Sequence, residues 1–171
     1  MRLLLLRHGP ADERDPFRWP DDRLRPLTAK GLERTRAAIR GMMRLESKPD
    51  AIWTSPLRRA EQTAQAVAEL TGDQAAFETH ETLAPGGSYR TLMDQLAAAQ
   101  DTKLLVLVGH EPDLGKLAGV LLFGAPAALP LKKAGACCIV FDDPPAPALG
   151  RLRWFLPART LARLAGARSR A

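Results

Sequence analysis

The sequence predicts an α/β fold: a three-layer α/β/α sandwich with a mostly parallel central sheet and helices on both faces. Three observations predict it. Segments of strand character alternate with segments of helical period along most of the chain. Two strand segments, Leu3-Leu4-Leu5-Leu6 and Leu104-Leu105-Val106-Leu107-Val108, are unbroken apolar runs, as expected of strands buried on both faces. Each run ends in a polar cluster with a histidine beside a glycine, Arg7-His8-Gly9 and Gly109-His110-Glu111. Parallel strands of such a sheet share an exit edge, where open α/β folds hold their ligands.

The elements follow in order. The first strand spans residues 2–8. Pro10 to Arg25 has charges of both signs and no useful period, and reads as a long loop, a class that is often functional. Thr28 reads as the N-cap of a helix running to about Leu45, with Leu32, Ile39, Met42 and Met43 on its apolar face. Pro49 and Asp50 turn the chain into a short strand, Ala51 to Thr54. Ser55-Pro56 then reads as the cap and first position of a second helix, with Leu57, Ala60, Ala64, Val67 and Ala68 on one face and Gly72 at its end. A third strand is expected within Phe77 to Leu83, and a third helix after the cap Ser88. The helix after His110 carries Leu114, Leu117, Ala118, Leu121 and Leu122 and stops at Gly124. Ala136 to Phe141 and Arg151 to Leu156 read as two more strands. The segment Arg159 to Ala171 is expected to be a basic tail, frayed or weakly helical.

The 171 residues suit one domain with a single sizeable core, and no internal repeat or linker divides them. Hydrophobic residues at 46% and charged residues at 26% are an ordinary globular balance. No apolar run approaches the roughly 18 residues that span a bilayer. The first leucine run is too short, and too soon followed by Arg7 and His8, for a signal peptide. A cytoplasmic protein without a membrane partner is the expectation. Cys137 and Cys138 are neighbours, a poor geometry for a mutual disulfide. They fit a strand with one side chain in and one out. The net charge of +6 is partly local, since Arg151 to Arg170 holds six arginines and no acid. With only 5% aromatic residues, stacking platforms for single-stranded nucleic acid are scarce, so nucleic acid is not the expected partner.

On its own, the first strand leaves His8 open between a candidate for chemistry and a satisfied strand-end histidine. A second histidine alters that balance. His8 and His110 lie about a hundred residues apart yet end strands that can share one edge. Ser55-Pro56-Leu57-Arg58-Arg59 brings arginines to a third strand exit, at a helix N-terminus. Two imidazoles and several guanidiniums above one sheet edge describe a pocket for a phosphoryl group, because arginine forks match phosphate oxygens two at a time.

These stretches resemble the histidine phosphatase (phosphoglycerate mutase-like) superfamily, and within it the SixA-type phosphohistidine phosphatases. The matching residues are Leu-Arg-His-Gly at 6–9, Arg-Pro-Leu-Thr at 25–28 with Gly31, and Ser-Pro-Leu-Arg-Arg-Ala-Glu-Gln-Thr at 55–63. Further on come Val-Gly-His-Glu-Pro at 108–112, Leu-Lys-Lys-Ala-Gly-Ala at 131–136 and Trp-Phe-Leu-Pro at 154–157. The resemblance implies that His8 is the nucleophile and carries the phosphoryl group as a phosphohistidine. It implies that Arg7, Arg59 and His110 bind phosphoryl oxygens, and that Arg25 adds a pocket contact or is a solvated loop residue. Neither a cofactor nor a metal is implied. Attack requires a neutral imidazole, so the other ring nitrogen of His8 is expected to hydrogen-bond a backbone carbonyl. Arg58 is expected on the helix surface or pocket rim, Ser55 as a cap only, Gln62 and Glu61 as structural, and His80 as a surface histidine.

Larger family members carry a glutamate that protonates an ester leaving group. Here Glu81 is the nearest candidate for that general acid, with Asp12, Glu13, Asp15 and Glu111 as alternatives. The nitrogen of a phosphohistidine leaves more readily than an ester oxygen, so a missing acid favours a phosphoramidate substrate. The expected activity is therefore a metal-independent phosphohistidine phosphatase whose partner is a phosphorylated protein. A phosphatase of small phosphoesters or pyrophosphates is the alternative enzyme, and a phosphoryl-binding module without turnover is the alternative outside catalysis. Gly9 is expected to let the backbone turn away from the site.

Overall fold

The computed structural model describes residues 1–72, 77–99 and 101–166. The central sheet has six strands: β1 (Arg2–Arg7), β2 (Ala51–Thr54), β3 (Phe77–Thr79), β4 (Leu104–Gly109), β5 (Ala136–Val140) and β6 (Arg151–Leu156). Their spatial order is β3-β2-β4-β1-β5-β6. The first four in space are parallel; β5 runs antiparallel to β1, and β6 to β5. Five α-helices flank the sheet among the described residues: α1 (Ala29–Leu45), α2 (Arg58–Thr71), α3 (Tyr89–Ala98), α4 (Asp113–Phe123) and α5 (Ala158–Gly166). The predicted α/β/α sandwich is the observed architecture. Among the described residues no helix is long and apolar enough to cross a membrane.

The period of two along a strand sorts the core into two layers. Leu4 and Leu6 of β1, Leu104, Val106 and Val108 of β4, and Cys138 of β5 pack with Ala38, Ile39 and Met42 of α1, Ala64 and Val67 of α2 and Leu161 of α5. Leu3 and Leu5, Leu105 and Leu107, and Cys137 and Ile139 face the other way, onto Leu92 and Leu96 of α3 and Leu114, Leu117 and Leu121 of α4. All four leucines of β1 are at most 1% exposed. Burying one such side chain is worth about 1.5–3 kcal/mol, which explains why the run between Arg2 and Arg7 is wholly apolar. The two cysteines do alternate, but neither faces solvent, because helices cover both faces. Burial pushes both thiols up to about 12, so neither is a reactive thiolate.

Several boundaries differ from expectation for local reasons. α1 begins as expected, with the Thr28 hydroxyl accepting from the Gly31 N–H. α2 begins at Arg58 rather than Pro56, and its N-cap, Leu57, has no side-chain capping bond. β3 stops at Thr79, and Glu81–Leu83 form a 3-10 turn. Another 3-10 turn, Asp22–Leu24, interrupts the long loop. His80 is not a surface histidine: its side chain is 14% exposed and stacks on Trp53 at 4.3 Å. Gly9 is required by packing rather than by a turn, since a Cβ there would lie 2.0 Å from the Thr35 hydroxyl of α1.

The expected frayed tail is a docked helix over its described part. Leu161 of α5 is fully buried. Gly41 of α1 lies so close that a Cβ would meet the Leu161 carbonyl oxygen at 1.7 Å. Composition suggested fraying because the segment has four arginines and no acid, but the described Arg159 and Arg163 are exposed while Leu161 faces the core. Residues 167–171 of that expectation lie outside the described residues. Leu161→Ala is predicted to lower the unfolding free energy in urea by about 2–4 kcal/mol. A loss below about 0.5 kcal/mol, the range of surface substitutions, would mean that α5 is not docked in solution.

Candidate active site

Strand register assembles the site. Arg7 pairs with Gly109 across β1 and β4, and Thr54 pairs with Val108 across β2 and β4. The next residues, His8, His110 and Ser55, therefore leave the sheet together at its carboxyl edge. The imidazoles of His8 and His110 have ring centroids 5.0 Å apart and planes tilted by 53°. His8 is 6% exposed and His110 4%. Nδ1 of His8 lies 2.7 Å from the Gly9 carbonyl oxygen. A carbonyl only accepts, so Nδ1 carries the proton and the neutral ring keeps a bare lone pair on Nε2. Nε2 of His110 is 2.8 Å from the Ser55 hydroxyl. Ser55 thus partners a site imidazole, and its expected role as the cap of α2 is corrected, although its Oγ also accepts a long 3.3 Å bond from the Leu57 N–H.

Two arginines complete the pocket. Arg7 donates from Nη1 to the Leu131 carbonyl at 2.8 Å. Arg59, 4% exposed in the first turn of α2, donates from Nη1 to the Asp22 carbonyl at 2.8 Å, and its Nη2 lies 3.1 Å from the Asp22 carboxylate. Both guanidiniums are thus anchored through their terminal nitrogens. In both, Nε is buried without a hydrogen-bond partner among the described residues. Buried donors are normally satisfied, so two unspent N–H groups beside two imidazoles mark a place for an anion.

The electrostatics agree with this reading. Burial first and the His110 ring second lower the His8 pKa to about 3; the bond to Gly9 opposes them, and Arg59 and Arg7 add smaller lowering effects. Burial, Arg59 and Arg7 lower His110 to about 3 as well. Both imidazoles are therefore neutral at neutral pH. Burial also lowers the arginines from the usual arginine value, with Asp22 opposing this at Arg59 and Glu111 at Arg7; guanidinium remains charged. The pocket is a cationic frame around uncharged nucleophilic nitrogens. Among the described residues no group of three or more His, Cys, Asp and Glu is placed to hold a metal ion.

The remaining candidates separate. Arg25 is not a free loop cation: its side chain is 13% exposed, its Nε pairs with the Asp22 carboxylate at 2.8 Å, and its Nη1 donates to the Asp12 carbonyl at 2.7 Å. It acts on the pocket through Asp22, which the hydrogen bond from Arg25 holds below the usual carboxylate range. Arg58 is exposed, as expected. Gln62 is structural as expected, accepting from the Leu27 N–H at 2.7 Å. Thr63 receives the Gly9 N–H at 3.1 Å and so ties α2 to the residue after His8.

Glu81 lies in the 3-10 turn after β3, its carboxylate 71% exposed and 3.1 Å from Arg23 Nη2. No hydrogen bond or ion pair joins it to His8, His110, Arg7 or Arg59 among the described residues. Asp12 pairs with Arg18 at 3.3 Å, Asp15 accepts from the Phe17 N–H, and Glu13 is exposed. Glu111 accepts from the Leu131 N–H at 3.1 Å, so it steadies the carbonyl that anchors Arg7. Sequence reasoning missed Asp22, Ser55 as a partner of His110, and Leu131. Of these, only Asp22 had a signal, its i,i+3 spacing to Arg25 before a helix start.

Comparison with known proteins agrees with the geometry. The sequence model of the Histidine phosphatase superfamily (branch 1) matches residues 3–113. An uncharacterized protein of Picosynechococcus sp. is 43% identical over 141 residues, which cover 79% of this chain and 82% of that protein. Among solved structures, the protein histidine phosphatase SixA complexed with tungstate superposes with a TM-score of 0.81 at 22% identity, covering 94% of this chain and 99% of that one. A mycobacterial glucosyl-3-phosphoglycerate phosphatase with inorganic phosphate gives 0.69 at 22% identity, covering 92% and 98%. At such identity these structures establish the shared fold. The family match rests on the sequence, over the stretch that carries His8, Arg59 and His110: the chain is a phosphatase and belongs to the histidine phosphatase superfamily, branch 1.

Proposed function

We propose that this phosphatase acts on a phosphohistidine carried by a protein, without a metal, through a covalent phosphoryl intermediate on Nε2 of His8. The observation that carries the reading is the fixed tautomer of His8, its lone pair on Nε2, beside two buried arginines whose Nε donors are unspent. Nε2 attacks phosphorus while the P–N bond to the substrate imidazole breaks, and that imidazole leaves with a proton from solvent. Water then attacks the phosphoryl group on His8, the P–Nε2 bond breaks, and inorganic phosphate departs. Arg7, Arg59 and His110 meet the charge on the equatorial oxygens, where phosphoryl transfer needs it. Arg25 contributes by holding Asp22, and through it Arg59.

The choice of substrate follows from the carboxylates. An ester oxygen leaves poorly without a general acid, whose help is commonly worth about 10²–10⁴-fold. Glu81 is the acid in a small-phosphoester reading, yet it is exposed and paired with Arg23. A phosphoramidate nitrogen needs less help. The whole chain as one domain is part of the proposal, as is a cytoplasmic setting, which two free, buried cysteines suit.

Two predictions follow. On a panel of phosphohistidine protein, phosphoramidate, sugar phosphates and nucleotides, phosphoramidates are turned over fastest, chelator changes the rate less than twofold, and His8→Ala loses at least about 10³-fold. Faster turnover of a sugar phosphate or nucleotide would reject the substrate; a strong loss with chelator would reject metal independence.

The second concerns pH. In the fold His8 and His110 take up protons only near pH 3, whereas unfolded imidazoles do so near 6.5. Between those values the unfolded chain binds more protons, so stability falls as pH falls, by up to about 1.4 kcal/mol per pH unit for each histidine. Urea unfolding between pH 7 and pH 4 should therefore show a shallower pH slope for His110→Asn than for the wild type. Equal slopes would mean that His110 is not held neutral.

A further inference from the structure

A groove of about 890 Å³ opens beside the pocket, between α1, α5 and the loop that precedes β5. Arg7 lines it and so joins it to the site. Its other cations are Arg34, Lys132, Lys133 and Arg159, from three separate elements, and all four are exposed. No acid lines it, and none of the four makes a hydrogen bond or ion pair through its side chain among the described residues. Between them the floor is small, with Ala37 on α1 and Ala158 and Ala162 on α5.

We propose that this groove docks an acidic polypeptide segment flanking the phosphohistidine of the protein substrate. The inference rests on the phosphohistidine reading above and names the kind of partner that reading requires. Charge complementarity argues for it: four unneutralised cations repel one another and are relieved by spread carboxylates. Their form argues against a small ligand. Such sites fix a few converging polar groups in an apolar pocket, whereas these side chains are long, exposed and set on separate elements. Single-stranded nucleic acid is disfavoured because no aromatic side chain lines the groove on which a base could stack. Exposed charges of this kind act mainly on encounter and are screened by salt, so the contact is weak and salt-sensitive.

The test uses two synthetic histidine-phosphorylated peptides, one with glutamates around the histidine and one with lysines. The wild type is expected to have kcat/KM about tenfold higher for the glutamate peptide at low salt. In Arg34→Glu/Arg159→Glu that preference disappears, while kcat/KM for a small phosphoramidate stays within about twofold. Lys132→Ala/Lys133→Ala should weaken the preference in the same sense, guarding against misfolding of the first variant. Arg90→Glu/Lys116→Glu, on exposed positions of α3 and α4, makes the same change in net charge and should leave it intact.

An unaltered preference in both groove variants, or an equal loss in the α3/α4 control, would overturn the proposal. Fluorescence anisotropy of the unphosphorylated glutamate peptide reads the groove without turnover. If neither phosphopeptide is hydrolysed, the substrate reading fails, and the groove stands or falls on whether that binding is lost in Arg34→Glu/Arg159→Glu. Displacement of the peptide by a single-stranded oligonucleotide that binds more tightly would also overturn it.

Discussion

The structure depends on the register of β1 against β4. Both strands are apolar on both faces, so the alternation that usually fixes register does not operate here. What fixes it is the frame around the leucines. Arg2 and Arg7 bound a run of four, and a slip of one residue would draw a guanidinium between the two core layers, where an unpaired charge is far too costly. Each is instead held where it stands. Arg2 pairs at 2.6 Å with Glu46, whose buried carboxylate also accepts from Trp154 and pairs with Arg153. Arg7 is held by the Leu131 carbonyl. With Arg7 opposite Gly109, His8 and His110 have no choice but to leave the sheet side by side.

The same arrangement sets the chemistry. Two charged arginines and two neutral imidazoles share a buried space, and each cation makes protonation of the rings harder. That field keeps both rings neutral, with the Nε2 lone pair of His8 free, over the physiological range. In the proposed mechanism a phosphoryl dianion cancels it on entering, which is when a positive partner for the oxygens is of most use. The anchors matter as much as the charges. Main-chain oxygens hold the guanidinium ends, so the donors are oriented before a ligand arrives and little reorganisation is needed. Around this pocket lies a ring of less direct contacts: Arg25 on Asp22, Glu111 on Leu131, and Thr63 on Gly9.

Much of this was legible in the sequence. Leu3–Leu6 and Leu104–Val108 announce buried strands because each is a short apolar run closed by a glycine-flanked turn signal. The histidines that follow them point to the candidate site, and they do meet, because parallel strands share an edge. Arg59 was picked out from Arg58 by the spacing to Ser55 in the family that the sequence resembles. What stayed hidden was set by contacts distant in the chain. Ser55 looked like a cap because Ser-Pro favours helix starts, yet its hydroxyl belongs to His110, on the adjacent strand. Gly9 looked like a turn residue, but Thr35 of α1 decides it. The C-terminal segment looked frayed because it has four arginines, no acid and only two leucines, yet one leucine in the right place docks its described part. Asp22 was the main omission. Its one local mark is the i,i+3 spacing to Arg25, which a loop of mixed charges obscures, and its importance comes from the two arginines that meet on it.

The central claim is that the Nδ1 bond to Gly9 leaves Nε2 of His8 as the attacking atom. Rapid acid-free quenching with a phosphoramidate, followed by phosphorus NMR and tandem mass spectrometry of the trapped enzyme, tests it most directly. The account predicts one phosphoryl group, on His8, bonded through Nε2. A phosphoryl group on Nδ1, on His110, or none at all during steady turnover would contradict it.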